Sequence, residues 1–153
     1  MRYSLWVSRI VATGLLALAL LAGILIPTAA CAAGRVPRLA VVVYAFSGVI
    51  CHQRADRSFV SCGVKWPVCG RCSGLYLGAA LGALLAAGGL RTRHPASRWR
   101  RILLLAAVPT LVSWVAEVTV GLDPGTAARF ALATPLGLAT ALWLAEVARE
   151  DLR

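Results

Sequence analysis

Residues 73–90 read SGLYLGAALGALLAAGGL, a run without one charged side chain. At about 1.5 Å of rise per residue, a helix of that length approaches the roughly 30 Å of a bilayer core. Gly74, Gly78, Gly82 and Ala86 recur every four residues, so they share one helix face. Small residues at that spacing let two backbones approach closely, which in lipid stands in for the missing hydrophobic drive. The run therefore predicts a membrane span with a packing face.

Working outward, residues 102–120 form a second apolar run interrupted by Glu117, and residues 129–147 form a third, bounded by Arg129 and Arg149. On the third, Ala133, Gly137, Ala141 and Ala145 repeat the four-residue spacing. Towards the N-terminus, residues 10–30 (IVATGLLALALLAGILIPTAA) are uncharged throughout and long enough to cross. The stretch 39–51 is apolar but too short to cross as a helix, so it reads as interfacial or re-entrant. The expected fold is an all-α membrane protein of four transmembrane helices, near 10–30, 73–90, 102–120 and 129–147. A Cys/His-rich loop, 31–72, joins the first two, and all 153 residues form one membrane domain. The small-residue faces serve a bundle within one chain or a homo-oligomer.

Composition supports the membrane reading. Of 153 residues, 59% are hydrophobic and 14% charged, against about a quarter charged in a soluble domain. No collagen period, sustained heptad or polar low-complexity tract occurs. The net charge of +10 invites a nucleic-acid reading, but the cations lie between apolar runs, where they orient helices, so no nucleic-acid partner is expected. The partner is the lipid bilayer. The segment RTRHPASRWRR (91–101) is dense in Arg and free of acids, which predicts a cytoplasmic loop, and with it both termini cytoplasmic in a multi-pass protein of the inner cell membrane. His94 is expected to be solvated there. A basic start, an apolar run and PTAAC at 27–31 also admit a secretory or lipoprotein signal ending at Cys31, but the apolar run is longer than such signals need.

The chemistry sits in CHQRADRSFVSCGVKWPVCGRCSG, residues 51–74, which hold four of the five cysteines. A single cysteine is most often a small buried hydrophobe. Clustering argues against that here, since Cys69 and Cys72 have ligand or redox spacing and Cys51 and His52 add donors upstream. Pro67 fits the first turn of the following helix, which would place Cys69 and Cys72 at i and i+3 on that turn. A helix start favours thiolate.

The string Cys51-His52-Gln53, Arg57-Ser58-Phe59, Gly63, Pro67-Val68-Cys69, Arg71-Cys72, Gly74, Tyr76 and Gly78 resembles the signature of a family of small predicted bacterial and archaeal membrane proteins of unknown function. The resemblance implies that Cys51, His52, Cys69 and Cys72 belong to a shared site. Cys31 and Cys62 are less surely part of it. The family's polar turn before the last span is matched only loosely, by Glu117 and Asp123.

Two functions from different classes remain. Cys51, Cys69 and Cys72 with His52 make a Cys₃His set suited to zinc, with Cys62 as a substitute ligand, although adjacent Cys51 and His52 can share an ion only if the backbone turns between them. Alternatively, Cys69 and Cys72 perform membrane thiol–disulfide exchange, with Cys51 and Cys62 as a second pair. That plan is similar to the disulfide-generating quinone reductase of bacterial inner membranes, but the loop where that enzyme carries its second pair, here GLDPGTAA, holds no cysteine. Arg54, Arg57, Lys65 and Arg71 have the chemistry to hold a lipid phosphate, though cations among head groups need no such role. Glu117 is an ionisable group within a span and calls for a partner, Arg129 or Arg71. No carboxylate pair, nucleophile triad, phosphate loop or dinucleotide fingerprint appears, so no standard enzyme class is supported.

Overall fold

The computed structural model describes residues 38–90, 92 and 94–150; the expected span at 10–30, Cys31 and both chain ends lie outside the described residues. In order come helix α1 (Arg38–Ile50), a 3₁₀ turn (Ala55–Arg57), strands β1 (Ser58–Ser61) and β2 (Val64–Cys69), and helices α2 (Gly70–Ala87), α3 (Ala96–Val120) and α4 (Gly125–Glu150). By length and composition, α2, α3 and α4 can each cross a membrane. The short apolar helix expected near 39–51 is α1, 13 residues long.

All three long helices begin a few residues before the apolar runs do. A charge-free window stops at Arg71, Arg101 and Arg129, whereas a helix stops where its backbone is capped. Pro95 precedes the first turn of α3, and Gly121, at φ 68°, closes its last. The carboxylate of Asp123 accepts the N–H of Gly125 (2.7 Å) at the start of α4.

The core is the seam between α2 and α4. A Cβ placed on Gly74 would collide with the Phe130 carbonyl, one on Gly78 with that of Thr134, and one on Gly137 with that of Leu75. On Gly82 it would lie 2.7 Å from the Leu138 carbonyl. The two small-residue faces read from the sequence thus meet within one chain, and backbone packs directly on backbone. Helix α3 joins α4 more lightly, with the Thr110 hydroxyl donating to the Leu132 carbonyl at 2.8 Å. Its other side exposes Leu104, Leu105, Leu111, Val112 and Val118, a surface that belongs in lipid.

A hairpin replaces part of the expected irregular loop. Antiparallel β1 and β2 pair Ser58 with Cys69, Val60 with Lys65 and Ser61 with Val64. Cys62 (φ 50°) and Gly63 (φ 75°) form the two-residue turn, both in the left-handed region, as a tight hairpin of this twist requires. Pro67 therefore lies in β2, not in a helical turn as the sequence suggested. A two-stranded ribbon has free edges, where a missing N–H costs no ladder bond.

At the opposite end of the bundle the helices are latched by polar side chains. Buried Glu146 on α4 accepts from Trp99 Nε1 (3.0 Å) and from the Thr92 hydroxyl. Arg149 donates to the carbonyls of Leu90 (3.0 Å) and Ala86, satisfying the end of α2. His94 sits here, half-buried, with its ring 5.7 Å from that of Trp99.

Candidate functional site

Cys51 follows directly on α1, with its N–H bonded to the Ser47 carbonyl at 2.9 Å. The chain then turns sharply at Gln53, whose φ of 48° is unusual for a side-chain-bearing residue. Three polar contacts hold the turn. Gln53 Nε2 donates to the Tyr44 carbonyl (2.7 Å), the Gln53 carbonyl accepts from Lys65 Nζ, and the Tyr44 hydroxyl donates to the Lys65 carbonyl. Helix α1 is thereby tied to β2, and Cys51 is driven inward until its side chain is buried.

Cys69 ends β2 and caps α2, with φ −69° and ψ 164°, and its N–H donates to Cys51 Sγ at 3.3 Å. Cys72 lies in the first turn of α2. The sulfurs of Cys51, Cys69 and Cys72 all lie within 4.8 Å of one another, and all three cysteines are free. A tetrahedral ion with bonds of about 2.3 Å needs sulfurs roughly 3.8 Å apart, so the triad is close to a ligand set. The Cys72 thiol beside Cys69 holds the latter well below the ordinary thiol range. Burial opposes this, while the Cys51 thiol and the amides of Arg71 and Cys72 reinforce it.

His52 is exposed and is not in this group, because consecutive side chains point in different directions and Cys51 takes the inward one. Cys62, at the hairpin tip, is disulfide-bonded and outside the group as well.

The same turn of α2 carries a second constellation. Glu117, near the end of α3, accepts from Arg129 Nη2 (2.9 Å) on one oxygen and from Arg71 Nη2 (2.8 Å) on the other, and Arg57 Nη2 pairs with the first oxygen at 2.8 Å. Arg129 Nη2 also reaches Asp123 at 2.9 Å, and Arg71 Nη2 reaches Ser113 Oγ at 3.2 Å. Both partners suggested for Glu117 by the sequence are present. Arg57, from the 3₁₀ turn, was not anticipated there. Its seat follows from the hairpin, which folds that turn back over the helix ends. Arg54 stays exposed, gripping Asp56 at 3.1 Å and holding its carboxyl below the usual range. Phe59 seats the hairpin on the bundle through its ring contact with Phe130, at 5.7 Å between centroids.

The family model described as "Predicted membrane protein (DUF2085)" matches residues 51–143, from Cys51 through most of α4. The chain is also similar to an uncharacterized protein of Methanothermobacter thermautotrophicus, 31% identical over 93 residues, which are 61% of this chain and 82% of that one. A second relative, an uncharacterized protein of Methanocaldococcus jannaschii, is 40% identical over 47 residues, 31% of this chain and 30% of that one. No solved structure matches the chain.

Proposed function

The chain belongs to the DUF2085 family of predicted membrane proteins, and from that premise we propose that its hairpin end is a thiolate metal site in a multi-pass membrane protein. One observation carries the reading: the fold brings the sulfur of Cys51, from the end of α1, within 4.8 Å of those of Cys69 and Cys72 at the start of α2, and all three cysteines are free. Zinc suits such a donor set, being satisfied by thiolates in a tetrahedron without redox chemistry. Three thiolates leave one position for a nitrogen or oxygen donor, and His52 would supply it only by turning its exposed side chain inward. Bound there, the ion would staple the end of α1, the hairpin and the head of α2 together. In the same reading the hairpin faces outward and the Arg-rich segment 91–101 faces the cytoplasm, as the charge distribution favours.

A second reading is thiol–disulfide exchange at Cys69 and Cys72. The lowered Cys69 thiol at the cap of a helix favours it. Against it, Cys51 does not pair with Cys62 but lies with the other two sulfurs. Elemental analysis beside a thiol count separates the two. Purified protein should carry one equivalent of zinc, lost in Cys72→Ser and in Cys51→Ser. Metal-free protein with a Cys69–Cys72 disulfide would instead select the redox reading.

A further inference from the structure

We propose that Arg57, Arg71 and Arg129 form a binding site for an oxyanion of the phosphate class at the hairpin end of the bundle. No thiol takes part, so the proposal is independent of the metal reading.

The first argument is charge. Three guanidinium groups converge on one carboxylate, Glu117, whose side chain is 9% exposed. Asp123, the other acid in contact with Arg129, is 65% exposed and largely answered by water. Asp56, 3.7 Å from Arg57, is also mostly exposed. The buried part of the cluster is thus left positive. Buried charge is costly unless balanced, most of all in a protein surrounded by lipid.

The second argument is the donor inventory. Arg129 is 2% exposed, yet its Nε and Nη1 have no acceptor among the described residues, and neither has the buried Nε of Arg71. Both guanidinium groups are held in the cluster by their Nη2 atoms, so these orphaned N–H groups lie within it too. A guanidinium presents its donors in a planar fork that matches two oxygens of a phosphate, and buried polar groups are seldom left unpaired. The starts of α2 and α4 both fall here, and their dipoles add to the positive potential.

The site differs from the four surface cations that the sequence offered for a phosphate. Arg54 is taken by Asp56, and Lys65 donates to the Gln53 carbonyl. Arg129, on a helix distant in sequence, takes their place.

Phosphate can arrive free in solution or as a lipid head group, and one experiment distinguishes these sources. The thermal unfolding midpoint of the full chain is measured in neutral detergent with inorganic phosphate against chloride at matched ionic strength. It is then measured in phosphatidylcholine nanodiscs with and without phosphatidylglycerol. The expected result is a rise in one arm or both. A rise with inorganic phosphate assigns a free oxyanion, and a rise only with phosphatidylglycerol assigns a lipid phosphate. Arg57 is a third exposed, so Arg57→Gln should fold and show apparent affinity about tenfold weaker. Arg71→Lys, which keeps the charge and loses the fork, should weaken binding as well. No rise in either arm, or a rise that both variants leave unchanged, would overturn the proposal.

Discussion

Two largely enclosed carboxylates, Glu146 and Glu117, mark the two ends of this bundle, and they are answered in different ways. Glu146 meets neutral donors, the indole of Trp99 and the hydroxyl of Thr92, and its end of the molecule is completed by Arg149, which donates to the carbonyl of Ala86 in α2 and to that of Leu90 just beyond it. Glu117 meets three guanidinium groups, and one of them belongs to Arg71, whose helix turn also carries Cys72 of the cysteine triad. The first arrangement does what a latch requires and no more. The second gathers more positive charge than one carboxylate can answer, together with three sulfurs that a core could replace by alanines. Excess of this kind is the physical mark of a site, whereas the balanced end is the mark of a scaffold.

The comparison holds only while α2 and α4 stay together, because their seam connects both ends. Gly78→Leu drives a large side chain into the Thr134 carbonyl and should cost more than about 4 kcal/mol. Both ends should then be lost together, with no folded protein recovered in detergent. A variant that purifies with an unchanged melting temperature would show that the ends do not depend on this seam.

A smaller effect sharpens the contrast. Glu117→Gln leaves three guanidinium groups without their shared counter-charge and should cost about 3 kcal/mol. Glu146→Gln keeps an acceptor for Trp99 and Thr92 and should cost about 1 kcal/mol. Equal losses in chemical denaturation would erase the distinction between the two ends.

Much of the seam was legible in the sequence because packing in lipid leaves a simple trace, a small residue at every fourth position on each of two helices. Glu117 was legible for a related reason, since an acid within a span needs a partner and the flanking arginines were within reach. The hairpin was not. Its signal, Cys62-Gly63 between Ser-Phe-Val-Ser and Val-Lys-Trp-Pro, is a two-residue turn between short strands, but the cysteines drew the stretch into a metal-loop reading. With the hairpin unseen, Arg57 could not be placed beside Glu117, and Pro67 fell into the wrong element. The Cys51-His52 pair carried its own warning, as adjacent residues rarely face one ion. The buried place goes to Cys51, held by the left-handed turn at Gln53.

The central claim is that the three cysteines act as one ligand set, and X-ray absorption at the zinc edge of the purified full-length protein tests it most directly. The account predicts about one equivalent of zinc with three sulfurs near 2.3 Å and one nitrogen or oxygen, the sulfur shell being lost in Cys72→Ser. A shell of nitrogen and oxygen alone, or protein that holds no zinc while all three thiols react freely, would contradict it.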